Sequence, residues 1–205
     1  MLRYAITDRA QFPGDEQTRQ AELAAHWSKA GIDFVQLREK DLDPGALATL
    51  ARRIQAALWS AGPGIRLLIN SRADIALATH ADGVHLTSAP GSLTPVQIRQ
   101  LYAAASQPAP IISLSCHTLV EVAQAATAEP SRCPTLILFG PVFEKRLGDS
   151  LISEGTGLDL LRQACTLAAP TPVLALGGIT EENTPACLAV GAAGIAAVRL
   201  FAAHP

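Results

Sequence analysis

Polar and basic side chains follow several short apolar runs of the sequence, at the points where such runs would end as strands. The run FVQLREK places Gln36, Arg38 and Lys40 at every second position, so on a strand all three side chains point to one side. An amide and two cations that converge in this way favour an anionic ligand, because two cations facing one site are costly without a partner. The alternative is a charged strand end without a ligand, partly neutralised by Glu39.

A serine and a histidine stand at the end of a later apolar run. In ISLSCHTLVE, Ser115 and His117 come just before a helix-like segment. Histidine can give and take a proton near neutral pH, since its unperturbed pKa is about 6.5, so His117 is the candidate acid and base. The alternative is a water-exposed histidine near a helix cap. His85 lies inside another predicted strand, a position more typical of a packed and hydrogen-bonded core residue.

Two further strand ends offer groups that bind small molecules. Asn70 ends the run LLIN, where its amide can contact a ligand, cap the next helix, or do both. Gly177 and Gly178 in LALGGIT allow the backbone to approach a ligand closely, which is typical of phosphate binding by N–H groups. The long Gly-containing segment 140–156 is predicted to be a binding loop or a lid.

These residues require a fold that brings many strand ends together. Strand-like runs alternate with helix-like segments along the whole sequence, a pattern typical of parallel α/β proteins. Eight strands are predicted, near residues 2–6, 33–37, 66–69, 83–86, 111–115, 135–139, 172–176 and 194–198. Asp43, Thr94 and Thr184 each precede a proline and are predicted to cap helices.

Eight strands without a G-x-G-x-x-G motif after the first favour a (β/α)8 TIM barrel over an open doubly wound sheet. We expect a single α/β domain over residues 1–205, with a shortened last helix, because only LFAAHP follows the eighth strand. In such a barrel the residues just after each strand form the functional face. The candidate residues above would then share one site.

Composition and charge exclude several other classes of function. The formal net charge is -2 and the sequence has no block of Lys and Arg, which argues against nucleic-acid binding. It shows neither a signal peptide nor an apolar run of membrane-spanning length, so we expect a cytoplasmic protein that does not bind membranes. Its four cysteines form no C-x-x-C pair, so neither a zinc ribbon nor a redox dithiol is indicated.

With these residues in view, the sequence resembles the thiamine phosphate synthase and TenI superfamily. The matching segments, in order, are YAITD, VQLREK, INSRADIALATHADGVHL, SLSCHTLVE, LFGPVFE and LALGGIT. They span nearly the whole chain. The resemblance implies a barrel that handles a phosphorylated thiazole in thiamine biosynthesis, as a homo-oligomer that is commonly a dimer.

Two branches of that superfamily catalyse different reactions. The synthase branch joins a pyrimidine pyrophosphate to a thiazole phosphate and expels pyrophosphate with Mg²⁺ held by two aspartates. The tautomerase branch, TenI, shifts protons in a thiazole carboxylate phosphate with a histidine, and the resemblance maps that histidine onto His117. In this chain Ser71 replaces the first aspartate and the acid-free TSAPGS replaces the second. The lysine of the synthase loop is also missing, although Lys145 or Arg146 would be substitutes.

We therefore expect a thiazole tautomerase, an isomerase that needs neither metal nor other cofactor, with His117 as the catalytic residue. The expected substrate-binding residues are Gln36, Arg38, Lys40, Asn70, Ser115, Gly177, Gly178 and Arg199. Of these, Arg199 stands where the family more often has a small hydroxyl residue. The first alternative is a thiamine phosphate synthase, a transferase, with Mg²⁺ on relocated oxygens of Asp8, Asp41 or Asp74. The second is a paralogue that binds thiamine phosphates without catalysis.

Overall fold

Eight parallel strands close into a barrel in the computed structural model, which describes residues 1–9, 16–62, 64–127, 129–147 and 150–202. The barrel strands are β1 (Leu2–Ile6), β2 (Phe34–Leu37), β3 (Arg66–Asn70), β4 (Gly83–Thr87), β5 (Ile111–Cys116), β6 (Leu136–Phe139), β9 (Val173–Leu176) and β10 (Gly194–Ala197). Neighbours pair in the closed order β1-β10-β9-β6-β5-β4-β3-β2. The predicted TIM barrel is confirmed, with each strand within one residue of its expected bounds at either end.

Helices connect successive barrel strands and cover the outside of the barrel. They are α1 (Glu16–Lys29), α2 (Pro44–Ala61), α3 (Ala73–Thr79), α4 (Pro95–Ala104), α5 (Leu119–Ala125), α6 (Gly157–Ala168) and α7 (Thr184–Ala189). Two of the predicted caps form: Asp43 accepts from the backbone N–H of Ala46 at 2.9 Å, and Thr94 makes a capping box with Gln97. The prediction for Thr184 is wrong, since Thr184 is already helical and its hydroxyl donates to the Thr180 carbonyl at 2.6 Å.

Alternation along the strands separates two apolar clusters. Tyr4, Leu68 and Leu138 belong to a cluster that fills the barrel interior, whereas Val35 and Ile69 belong to a larger cluster between the strands and the helices. Successive strand side chains point to opposite faces, so every polar residue on the Tyr4 side of a strand must lie inside the barrel. This places the polar strand residues at the core or at its mouth.

The segment that follows β6 is more ordered than a simple loop. It contains an antiparallel hairpin of β7 (Lys145–Leu147) and β8 (Ser150–Ser153). Its base is fixed to the end of β9, because the N–H groups of Val142 and Phe143 donate to the carbonyls of Leu176 and Gly177 at 2.8 and 3.0 Å. The hairpin therefore projects from the same end of the barrel at which β9 ends.

Residues 198–202 follow β10 as a bend and turns. The expected short last helix is therefore not formed in the part of that segment that the structure describes. Among the described helices, none combines the length and the apolar character needed to cross a membrane.

Candidate active site

A cavity of about 500 Å³ opens at the carboxyl-terminal ends of the barrel strands. All the predicted site residues line it: Gln36, Arg38, Lys40, Asn70, Ser115, His117, Gly177, Gly178 and Arg199. The rule that strand ends converge on one face thus brings together residues that are far apart in sequence. Their roles in binding or catalysis stay predictions. The side chains of Lys145 and Arg146, the proposed substitutes for the synthase lysine, lie outside the described residues.

Three cations surround the mouth of the cavity. Arg38 is half-buried, and Lys40 and Arg199 are exposed. Their side chains form no ion pair or hydrogen bond with the residues that the structure describes. Glu39 does not neutralise them, since it follows the end of β2 outside the cavity lining, is buried, and accepts a hydrogen bond from the Thr7 hydroxyl at 2.6 Å. The mouth therefore carries positive charge that an anionic ligand can neutralise.

An amide pair lies deeper, on β2 and β3. Gln36 is 1% exposed, and its Nε2 donates to Oδ1 of Asn70 at 2.9 Å. The Gln36 Oε1 is buried without a hydrogen-bond partner. A buried acceptor left unpaired costs about 1–3 kcal/mol, so we expect a ligand donor there. Asn70 is not the cap of α3, because that position belongs to Arg72.

His117 lies at the rim beside the end of β6. Its Nδ1 lies 2.5 Å from the Gly140 carbonyl oxygen. A carbonyl only accepts, so Nδ1 carries a proton and donates to it, and when the ring holds that single proton Nε2 is an acceptor. Glu121 holds the turn by accepting from the backbone N–H groups of His117 and Thr118 at 2.5 and 2.9 Å. The ring is thus oriented by its contact with Gly140, while Glu121 holds the backbone that carries it.

His85 lines the cavity as well, although the sequence indicated only a packed core residue. It is 3% exposed, with Nδ1 at 2.8 Å from the Ser113 hydroxyl and Nε2 at 2.9 Å from the Ser115 hydroxyl. Burial, and then the charge of Arg38, lower the pKa of His85 to about 3. His85 is therefore neutral at pH 7. His85 lies two residues before Thr87, the last residue of β4, so both side chains point to the same face. This spacing is the signal in the sequence that would have identified His85 as a cavity residue.

The two glycines after β9 adopt left-handed backbone, with φ of 94° at Gly177 and 64° at Gly178. A Cβ on Gly177 would lie 2.6 Å from Pro141, and one on Gly178 would lie 2.6 Å from the Glu144 carbonyl oxygen. The structure therefore requires glycine here for the close approach of the segment after β6, whether or not a phosphate binds. Phosphate binding by these residues stays a prediction.

The positions that the resemblance associates with Mg²⁺ carry no carboxylate. Ser71 is an exposed residue at a positive φ of 56°, and the Thr87 hydroxyl bonds to that of Ser92 at 2.8 Å. The nearby Asp74 is paired with Arg72. A protein Mg²⁺ site usually combines one or two carboxylates with substrate phosphates, so these positions do not fit the ion.

Most of the other acids that could replace these Mg²⁺ ligands are already paired or lie outside the cavity lining. The Glu121 carboxylate accepts from the Ser88 hydroxyl at 2.7 Å, and Asp41 pairs with Arg9. Of the acids that the structure describes, Asp8 is the one that lines the cavity. Within the described ranges no group of three or more His, Cys, Asp or Glu residues is arranged to hold a metal.

Comparison with known proteins gives the family. A family model described as thiamine monophosphate synthase matches residues 3–201. A putative thiamine-phosphate synthase of Geobacter sulfurreducens is 39% identical over 98% of this chain and 87% of its own length. A thiamine-phosphate synthase of Methanoregula boonei is 33% identical over 98% of this chain and 86% of its own. Thiamine phosphate pyrophosphorylase from Pyrococcus furiosus, at 24% identity, has the same fold, with a TM-score of 0.75 over 96% of this chain and 85% of that one.

These relatives correct the predicted reaction. They are named as synthases, which are transferases, so the prediction of an isomerase of the TenI tautomerase type is wrong. The missing aspartates, on which that prediction depended, are a departure of this chain from the pattern of the synthase branch that it resembles. The chain belongs to the thiamine monophosphate synthase family, whose barrels serve thiamine biosynthesis.

Proposed function

We propose that this chain is a thiamine phosphate synthase, a transferase that joins a pyrimidine pyrophosphate to a thiazole phosphate and releases pyrophosphate. The names of relatives that match almost the full length of the chain support this reaction. The structural observation that carries it is the set of cations whose side chains have no partner in the described residues, Arg38, Lys40 and Arg199, above the uncharged groups of Gln36, Asn70 and Ser115. Both substrates are anionic at one end and heterocyclic at the other, which suits this division of charge.

The cations would act mainly on the leaving group. When pyrophosphate departs, the electron pair of the broken bond moves onto it, so negative charge grows at that end in the transition state. Fixed positive charges placed where charge develops lower the barrier, because they need no reorganisation during the reaction. Arg38 and Lys40 are assigned this role, since they lie on one strand end and face the mouth together.

The uncharged groups would position the two rings. Gln36 Oε1 would accept a hydrogen bond from a ring amino group, which would remove the cost of its unpaired state. Holding two reactants in the correct geometry can itself supply a large part of a rate enhancement. Gly177, Gly178 and Arg199 are assigned to the thiazole phosphate. His117 would then be an acceptor at the rim and not the proton carrier of a tautomerase.

The family resemblance implies Mg²⁺, but the described residues lack the pair of carboxylates that it associates with the ion. Bound Mg²⁺ would supply further positive charge to the pyrophosphate. The charge that the described residues themselves offer to the pyrophosphate is that of Arg38 and Lys40. The expected dimer likewise stays a prediction, which light scattering of the purified protein would check.

The direct test incubates the protein with both substrates and measures thiamine phosphate and pyrophosphate, once with MgCl₂ and once with EDTA. We expect equal amounts of both products in at least one condition. A Lys40→Ala variant should lose most of the activity, whereas Lys29→Ala, at an exposed position on α1 away from the cavity, should keep it. Binding of both substrates without product in either condition would refute the synthase and favour the non-catalytic alternative.

A further inference from the structure

Four polar groups form a continuous hydrogen-bonded chain through the interior of the barrel. The Tyr4 hydroxyl lies 2.8 Å from that of Ser113, Ser113 lies 2.8 Å from His85 Nδ1, and His85 Nε2 lies 2.9 Å from the Ser115 hydroxyl. The register of β4 and β5 places His85 opposite Ser113, which allows both serines to reach one ring. Tyr4 and Ser113 lie below the cavity, whereas His85 and Ser115 line it.

The protons of this chain can be assigned from its closed end. Tyr4 is 0% exposed, and Ser113 is the hydrogen-bond partner of its hydroxyl among the described residues. Burial raises the pKa of Tyr4 above its usual range, so the hydroxyl keeps its proton. If Tyr4 accepted from Ser113, the proton of the Tyr4 hydroxyl itself would be buried without an acceptor. Such an unpaired donor costs a large part of the free energy of a hydrogen bond. Tyr4 therefore donates to Ser113.

The direction then follows link by link. Ser113 has one proton, and with Tyr4 acting as donor the acceptor left for that proton among the described residues is Nδ1 of His85, so Ser113 donates to Nδ1. The ring is neutral, so its single N–H is on Nε2 and points to the Ser115 oxygen. Ser115 has thus accepted from the ring, and its own proton has no acceptor among the described residues.

We propose that Tyr4, Ser113 and His85 are positioning residues that fix the Ser115 hydroxyl as a hydrogen-bond donor to the ligand. Ser115 is 8% exposed, whereas Lys40 and Arg199 at the rim are exposed. The recipient is therefore an acceptor atom of the uncharged ring end of a substrate, such as an unprotonated ring nitrogen, and not a phosphate oxygen. This identification of the recipient rests on the proposed function, whereas the direction of the chain does not.

The first experiment tests the direction without any ligand. Protein labelled with ¹⁵N-histidine is examined at pH 7 by long-range ¹H–¹⁵N NMR, and the His85 signals are identified by their loss in His85→Gln. We expect a single neutral tautomer with the proton on Nε2. A proton on Nδ1, a mixture of tautomers or a charged ring would overturn the proposal, whatever the activity of the protein.

Two variants then separate a positioning role from a structural one. Ser113→Ala removes the group that binds Nδ1 and should give a mixture of tautomers, whereas Tyr4→Phe leaves Ser113 as the last hydroxyl and should keep the Nε2–H form. Ser113 does not line the cavity, so a merely structural role would leave substrate affinity unchanged in a folded variant.

The kinetic readout is the KM for the pyrimidine pyrophosphate. We expect Ser115→Ala to raise it about 5- to 10-fold, Ser113→Ala to raise it by a smaller factor, and kcat to change less than KM in both. An unchanged KM in Ser113→Ala, with the tautomer mixture present, would overturn the donor role of Ser115. If the wild type turns over neither substrate, the proposed function fails, and the NMR result alone still decides the direction of the chain.

Discussion

The buried histidine in the barrel makes the stability of the protein sensitive to mild acid. His85 is 3% exposed and bonded to two hydroxyls, and its pKa is lowered to about 3, first by burial and then by the charge of Arg38. In the unfolded chain the same ring has a pKa of about 6.5. As the pH falls from 7 to 5, the unfolded state therefore gains a proton that the folded state does not bind.

The sign and the size of the effect follow from this difference. Stability falls with decreasing pH wherever the unfolded state binds more protons, at about 1.4 kcal/mol per pH unit for one group well below its unfolded pKa. For His85 the loss between pH 7 and pH 5 is about 2 kcal/mol. It begins near the unfolded pKa and continues down to the folded pKa of about 3. Glu39, whose pKa burial raises, works in the opposite direction.

Comparison with a variant that cannot titrate isolates the histidine. Urea unfolding of the wild type and of His85→Gln is measured at pH 7 and pH 5, and the change in unfolding free energy between the two pH values is compared. Glu39 and the other histidines contribute equally to both proteins, so the wild type should lose about 2 kcal/mol more than the variant. An equal loss in the two proteins would show that His85 binds a proton as readily in the folded barrel as in the unfolded chain, and would refute the lowered pKa of the buried ring.

Three further perturbations test the site and its support. Lys40→Ala should lower kcat/KM about 10- to 100-fold, because a charged contact to the leaving group is lost. Steady-state assays compare it with Lys29→Ala, and equal kcat/KM values in the two variants would show that Lys40 does not act in the site. Thr94→Ala deletes a capping box and should cost about 1 kcal/mol in urea unfolding without a change in activity. Gly178→Ala places a Cβ 2.6 Å from a carbonyl oxygen at a φ of 64°, so we expect a loss of more than about 1 kcal/mol; wild-type stability would contradict the close approach of the segment after β6.

The fold was predictable because parallel barrel strands are buried on both sides and appear in the sequence as separate apolar runs. Position relative to those runs was also enough to place Arg38, Asn70 and Arg199 on one face, without knowledge of their contacts. The antiparallel pair of β7 and β8 was not predictable in this way, since these two short strands carry no sustained alternation. The sequence also did not show that Asn183, and not Thr184, is the N-cap position of α7. One extra residue of helix is enough to move the capping position by one.

The contacts inside the barrel depend on strand register, which the sequence does not display. His85 was identified as a core residue from its place within a strand. Its two hydroxyl partners follow only once β4 and β5 are paired so that His85 lies opposite Ser113. The unpaired Oε1 of Gln36 can likewise be identified only from the structure, which shows that Asn70 binds the Nε2 of the same amide.

The tautomerase was predicted wrongly because the absence of the two Mg²⁺-binding aspartates was taken to mean the absence of the synthase reaction. A departing pyrophosphate requires positive charge close to it, and this requirement does not specify whether the charge belongs to an ion or to side chains. Arg38 and Lys40 together carry the charge of one divalent ion, and neither is neutralised by a described carboxylate. The loss of carboxylates at Ser71 and in the Thr87–Ser92 segment removes negative charge from the same mouth. Both changes make the mouth of the cavity more positive, which is what the proposed synthase reaction needs near a leaving pyrophosphate.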